Sequence, residues 1–411
     1  MSAVDTMTAQ VIERHDAFMS LNYPRYPVVL DHGRGCEVWD ADGKRYLDLF
    51  AGFGAPVLGH CHPDLVAAVT EQAGKLWHVG NLFHTQPQTL AAEAIARHGF
   101  GGRSFFSHSG ADANEAAIKL ARLYGKARRG GASGEFGRYK IISATKSFHG
   151  RSFATMGATG NASVRVGFEP LLPGYVNVAY NDIDAVRSHA DADTVAVIVE
   201  PVQGEGGINV PAPDYFAKLR ALCDERDMLL ICDEVWTGCG RTGKMFGYQH
   251  WGVDPDVMTL GKGVGGGLAV GVMCAKPHVA ELYDVKKQGG VKHASTLGGN
   301  CLAMAVTAAV FRVIERDGLA DRAASLGETV MASLRQRAWR GVKQVRGKGL
   351  FIGLELDESI HKAGDVVKRC LDLGLILGSA QQNTLRIAPA LVVERRHIDE
   401  GLSILDQALR A

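Results

Sequence analysis

An aspartate closes one apolar run of this 411-residue chain, and a lysine set among glycines follows 29 positions later. The first is Asp233, ending Met228-Leu229-Leu230-Ile231-Cys232-Asp233. The second is Lys262, after Val257-Met258-Thr259-Leu260-Gly261 and before Gly263, Gly265, Gly266 and Gly267. A free lysine, with a pKa near ~10.4, is a poor nucleophile at neutral pH until burial or a neighbouring cation strips its proton. Most lysines sit solvated in loops, but glycines on both sides and an apolar approach argue against that here. Asp233 taken alone reads equally well as a strand-end acid capping a nearby helix. Together the two suit one cofactor, pyridoxal phosphate: the lysine condenses with its aldehyde, and the acid keeps its ring nitrogen protonated.

Both runs are short, bulky and apolar on both faces, as buried strands of a parallel sheet are. Their last residues then lie at the strand carboxyl ends, where open α/β sheets hold ligands. From about residue 64 to 311 the pattern alternates. Helices are predicted over 63–76, 88–98, 112–128, 213–226 and 302–315, and strands over 104–107, 140–144, 195–199, 228–233, 257–260 and 268–275. Such alternation predicts a doubly wound α/β layer. Beyond it, a helix over 319–338, a strand pair broken at Gly347-Lys348-Gly349, a helix over 363–373 and a strand over 384–387 predict a smaller α+β unit. Near the N-terminus, 36–48 reads as a hairpin turning at Asp42-Gly43. The expected division is an N-terminal segment 1–62 packing with the small domain, a large domain 63–312 and a small domain 313–411. The last boundary falls within or beside a helix.

Composition excludes several classes. A net charge of +1 provides no field for nucleic acid. No apolar stretch approaches the ~20 residues that span a bilayer, and no signal peptide is visible at the N-terminus. The eight cysteines contain no C-x-x-C pair, and Cys232, Cys274 and Cys301 fall in apolar contexts, which points to reduced thiols in the cytoplasm. Fifty glycines, gathered at strand-to-helix junctions, suggest backbone closely approaching a ligand.

Other segments carry weaker signals. Ser109, Gly110 and Ala111 follow a short apolar strand and open an alanine-rich helix, a place for a phosphate or for a plain N-cap. Phe148 and Arg151, in Phe148-His149-Gly150-Arg151, could stack on an aromatic ring and pair a carboxylate; singly, a core phenylalanine and a surface arginine explain them better. Arg386 lies inside an apolar strand and requires a partner, since an unpaired buried charge is costly. Gly261, Gly263 and Gly266 fit G-x-G-x-x-G, but a strand rather than a helix follows, so the dinucleotide reading fails. Gly59-His60-Cys61-His62-Pro63 has no second cluster at zinc spacing, and no metal is expected. Cys239 sits in a glycine-rich turn without a His or Asn arrangement to activate it.

Taken together these motifs resemble the class III aminotransferases over nearly the whole chain. The likeness rests on Gly59-His60-Cys61-His62-Pro63, Ser109-Gly110-Ala111, Phe148-His149-Gly150-Arg151, Glu200-Pro201-Val202-Gln203-Gly204-Glu205-Gly206-Gly207, Asp233-Glu234-Val235, Gly240-Arg241-Thr242-Gly243, Lys262 and Ser295-Thr296-Leu297-Gly298-Gly299-Asn300. Length and motif order look most like the acetylornithine and ornithine branch, with Gly52-Phe53-Gly54 and Phe168 to Gly174 similar to putrescine aminotransferase.

The resemblance implies the aspartate-aminotransferase-like fold (pyridoxal phosphate fold type I), with a large doubly wound mixed sheet domain and a smaller α+β domain. It implies transfer of a terminal amino group from N-acetylornithine, ornithine or a related ω-amine to 2-oxoglutarate. Lys262 and Asp233 would be catalytic. Phe148 and Val235 would flank the ring, with His149 and Trp236 also at the cofactor. Ser109, Gly110 and Ala111 would hold the phosphate, joined by Thr296 across a homodimer with shared sites. Arg386 and Arg151 would bind the two carboxylates of glutamate or 2-oxoglutarate, and Glu205 would pair with Arg386 while an ω-amine is processed. Trp236 and Pro56 depart from the branch, which usually carries glutamine and asparagine there. A diamine donor, an isomerase or decarboxylase on the same cofactor, and a binding protein with a dead site are the rival readings.

Overall fold

A computed structural model describes residues 7–128 and 137–410. An exposed helix over Met7–Phe18 precedes a meander of β1 (Leu30–Arg34), β2 (Glu37–Asp40) and β3 (Arg45–Asp48). The β2–β3 hairpin turns at Asp42-Gly43, as the sequence predicts; Gly43 takes φ +83°, where a side chain would be strained. The polar N-terminal stretch thus holds a helix and a strand that sequence periodicity does not reveal.

Seven strands form the central sheet: β4 (Arg103–Ser107), β5 (Lys140–Ala144), β6 (Tyr175–Val178), β7 (Thr194–Val199), β8 (Leu229–Asp233), β9 (Val257–Leu260) and β10 (Gly271–Ala275). Their order is β4-β10-β9-β8-β7-β5-β6. All neighbours pair in parallel except β10, which runs antiparallel to both β4 and β9. Because β10 reverses between them, β4 and β9 run the same way. The carboxyl ends of β4, β5, β7, β8 and β9 therefore share one edge, and every loop that carries a candidate residue of this sheet leaves from it. β10 starts three residues later than the sequence suggests, because Lys262–Gly265 forms a 3-10 turn and Gly266 takes a left-handed conformation before the chain turns back.

Every residue of β7, β8, β9 and β10 is buried, which matches their unbroken apolar character. The helix over Gly110–Arg128 covers one face with Ala113, Ala116, Ala117, Leu120 and Ala121. Alanines let its axis approach the sheet closely and bring its N-terminus against β8 and β9. On the other side, Cys301–Arg316 packs against Pro63–Ala73 and Gln86–His98. That helix is continuous through residue 312, so the expected boundary falls inside it.

The C-terminal part builds β11 (Val342–Lys348), β12 (Phe351–Leu356), β13 (Leu375–Ile376), β14 (Gly378–Ala380) and β15 (Thr384–Ile387), with helices over Leu319–Gln336, Ala363–Asp372 and Arg395–Arg410. The last helix carries a strong apolar face that the sequence reading passes over. β11-β12-β15-β14 form an antiparallel sheet, while β13 joins β3 in parallel and so ties the N-terminal meander to the C-terminal part. Arg45 reinforces that tie through Glu400 at 2.7 Å. Among the described residues no helix is long and apolar enough to cross a membrane.

Candidate active site

Asp233 ends β8 almost fully buried, at 3% exposure. Its Oδ2 accepts from Asn114 Nδ2 at 2.8 Å and from His149 Nδ1 at 2.7 Å, and its Oδ1 accepts from the Val235 amide at 3.0 Å. Asn114 is held in turn: it donates to the His149 carbonyl and accepts from Thr259 Oγ1 at 2.7 Å, across the β8–β9 ladder where Thr259 lies opposite Asp233. A carboxylate offers about four lone-pair positions, and three are taken here. One remains, on Oδ1, and Asp233 lines the cavity that Lys262 also lines. The strand-end acid is therefore no helix cap; its donors come from a neighbouring helix, a loop and its own turn.

Lys262 follows β9 with φ +48°, a left-handed conformation uncommon for a side chain-bearing residue. It is half-buried, and its amine stands 4.0 Å from the centre of the Trp236 ring. Desolvation lowers its pKa to about 7, opposed by the Glu205 carboxylate and assisted by the Arg386 guanidinium. At pH 8 about nine-tenths of such an amine is neutral, against under one-hundredth for an ordinary lysine. Addition of pyridoxal phosphate to the apoprotein is accordingly expected to speed up with a midpoint near pH 7. Stopped-flow absorbance across a pH series measures it; a midpoint above about pH 9 would mean an ordinary lysine.

Both residues line one cavity of about 270 Å³, with Gly110, Ala111, Phe148, His149, Arg151, Val235 and Trp236. Glycine makes this closure. A Cβ on Gly110 would stand 2.8 Å from the Val235 side chain, and one on Gly261 would stand 3.0 Å from Gly110 Cα. The helix N-terminus can therefore meet the β9 loop only through bare backbone, leaving its amides near the cavity. Ser109 behaves as a cap: its Oγ accepts from the Asp112 amide at 3.1 Å and donates to the Asp112 carboxylate. Phe148 is half-buried, with the exposed Arg151 guanidinium 5.8 Å above its ring.

Arg386 projects from β15 and is 2% exposed. Both residues opposite it on neighbouring strands, Gly353 and Gly378, are glycines; a Cβ on Gly353 would stand 2.9 Å from Ile208, and one on Gly378 would strike the Phe50 ring that faces the guanidinium. Its Nη1 bonds Glu205 Oε1 at 2.7 Å, the partner that a strand-interior arginine demands. Three aromatic rings face the guanidinium: Phe50 at 5.1 Å, Trp236 at 5.4 Å and Phe53 at 5.8 Å. The loop that presents the two phenylalanines is left-handed through Ala51, Gly52, Phe53 and Gly54. Asp48 holds it there, accepting the Phe50 and Ala51 amides at 2.9 and 2.8 Å while its other oxygen meets His60. His60 thus serves this loop, and His62 accepts the Asp64 amide at 3.3 Å.

Thr296 is exposed and stands beside Ser107, His108 and Asp112, outside the Lys262 cavity of its own chain. Two neighbours of the site are given no role by the sequence. Asn114 is one; its signal is a lone amide on the alanine face of the helix. Glu200 is the other, directly after the wholly buried β7, where it lines the cavity and accepts the Gly204 amide. Burial first, and then the Asp233 charge, push its carboxyl well above the usual range. The adjacent Glu234, pushed up to about 7 by burial, accepts the Gly247 and Tyr248 amides and is structural. Arg241, which the sequence places in a turn, is fully buried and donates to the Leu350 and Pro389 carbonyls.

The Aminotransferase class-III family profile matches residues 18–409. The chain belongs to the class III aminotransferases. This transaminase is 46% identical over 389 residues to the acetylornithine aminotransferase of Caldanaerobacter subterraneus subsp. tengcongensis, covering 94% of this chain and 96% of that protein. Its fold is similar to the ornithine aminotransferase of Toxoplasma gondii, with a TM-score of 0.91 at 29% identity over 99% and 95% of the two chains. It is also similar to the N-acetylornithine aminotransferase of Stenotrophomonas maltophilia, at TM-score 0.82 and 32% identity over 97% and 98%. The aminotransferase depends on pyridoxal phosphate and takes an amine donor and a 2-oxo acid acceptor. Its cavity fits that cofactor: an amine whose pKa burial lowers to about 7, a carboxylate with one free lone pair, and a helix N-terminus reached through glycine stand around one space.

Proposed function

We propose that this aminotransferase moves the terminal amino group of N-acetylornithine, ornithine or a related ω-amine to 2-oxoglutarate, giving a semialdehyde and glutamate. One observation carries the reading: Arg386 is already neutralised by Glu205 at 2.7 Å, close to the amine of Lys262. With the pair closed, Arg386 is withheld from any carboxylate, and the space beside Lys262 suits an amine-bearing end that carries none. With Glu205 swung aside, Arg386 receives the α-carboxylate of 2-oxoglutarate, and Arg151 its distal one. The names of the relatives, acetylornithine aminotransferase among them, support the same donors.

Bound pyridoxal phosphate supplies the electron sink that stabilises the deprotonated donor carbon. Asp233, fixed in place by Asn114 and His149, would pair with the ring nitrogen. Lys262 holds the cofactor and then, as a neutral amine, takes the proton from the carbon that carries the amino group. Phe148 and Val235 would hold the ring, with His149 and Trp236 also lining its cavity. Ser109, Gly110 and Ala111 take the phosphate, joined by Thr296 of the partner subunit in a homodimer. The three-part division at residues 62 and 312 and a cytoplasmic role in amino-acid metabolism, as in arginine biosynthesis, complete the reading.

The test is a donor panel on the purified holoenzyme with 2-oxoglutarate or pyruvate as acceptor, following glutamate or alanine. N-acetylornithine or ornithine with 2-oxoglutarate should give the highest kcat/KM. Turnover confined to α-amino acids, with every ω-amine inert, would sink the proposal.

A further inference from the structure

Trp236 stands where three parts of the pocket meet. Its Nε1 donates to Glu205 Oε1 at 3.3 Å, the same oxygen that accepts Arg386 at 2.7 Å. Its ring faces the Arg386 guanidinium and the Lys262 amine and stacks on Phe351 at 5.0 Å. The indole has nowhere else to go. A Cβ on Gly54 would stand 2.5 Å from its six-membered ring, and one on Gly204 would stand 2.6 Å from Cδ1. Two glycines, one at each end, are thus shaped around it, which fixes the direction of the N–H. The Glu205 backbone is tethered as well, because its carbonyl accepts from Gln381 at 3.0 Å.

We infer that Trp236 is a latch on the Glu205–Arg386 pair, a positioning residue that sets how readily the pocket opens to a carboxylate. This rests on the ω-amine reading given above. A carboxylate reaches Arg386 only when the Glu205 side chain swings away, and that swing breaks the indole bond too. Indole has one donor and no acceptor, so a buried N–H loses its only partner when the pair opens. Leaving such a donor unsatisfied weighs against the open state by about tenfold. The latch favours the closed pocket and raises the concentration of 2-oxo acid needed to complete the cycle.

The experiment measures glutarate binding to the holoenzyme by calorimetry, together with the ratio of KM for 2-oxoglutarate to KM for the ω-amine. Two variants are compared with the parent: Trp236→Phe, and a protein with benzothienylalanine at 236, which keeps the bicyclic ring but lacks the N–H. The expected result is a fall of about tenfold in both the glutarate Kd and the KM ratio, equal in the two variants. In a Glu205→Ala background the same changes at 236 should have no further effect. Unaltered glutarate binding in the benzothienylalanine protein, or an equal fall without Glu205, would overturn the latch. Absence of any ω-amine turnover in the parent enzyme would instead overturn the donor assignment, while the glutarate arm still judges the latch.

Discussion

Lys262→Ala is expected to abolish transamination, lowering kcat by about 10²–10⁴-fold through loss of proton transfer alone, before the loss of the covalent hold on the cofactor. The neutral amine at this position exists because the pocket desolvates it, so no other side chain can inherit the role. Arginine in its place would remain charged. Folding should not suffer. Alanine meets the same left-handed backbone, at φ +48°, that the lysine already tolerates, and it removes an amine whose charged form the pocket disfavours. The apoprotein is expected to melt at the parent temperature or slightly above. Glutamate formation in a coupled assay, beside a thermal melt, checks both halves. More than a tenth of the parent kcat in the variant would remove Lys262 from the chemistry.

Asp233→Asn should lower kcat by about 10²–10³-fold, the scale on which removal of one preorganised electrostatic partner acts. Here the conservative change is not neutral for stability either. Oδ2 accepts from Asn114 and His149, and Oδ1 from the Val235 amide. An asparagine amide has one acceptor and one donor end. Turned either way, it sets its NH₂ against at least one buried donor. That mismatch is expected to cost about 1–3 kcal/mol of unfolding free energy. Urea titration of the apoprotein measures the loss, and steady-state kinetics of the holoenzyme measure the turnover. An Asp233→Asn enzyme within fivefold of the parent kcat would mean that the carboxylate charge is not what the ring requires.

Much of this is legible in the sequence alone. Runs such as Leu229–Asp233 and Val257–Leu260 are too short for helices and too apolar for exposed strands, so they announce buried neighbouring strands, which pair in parallel while β10 on the far side of β9 runs antiparallel. Their ends then place Asp233 and Lys262 at one edge. Arg386, in Thr384–Ile387, demands a partner by the cost of burying a charge, and Glu205 supplies it across 181 positions. What fails to show is of two kinds. The exposed N-terminal helix and β1 bury little and carry no regular pattern to read. Asn114 and Arg241 look ordinary because their importance lies in donors and acceptors brought in from distant segments.

The sequence by itself determined the chemical types available, the sheet-building runs and the glycines that permit close approach, since these follow from side-chain volume, polarity and backbone freedom. Tertiary structure alone decided which lone pairs on Asp233 stay open, that desolvation brings Lys262 to about 7, and that one indole N–H shares an oxygen with Arg386. Burial and hydrogen-bond geometry depend on atoms contributed by separate parts of the chain, and no local pattern encodes where those parts meet.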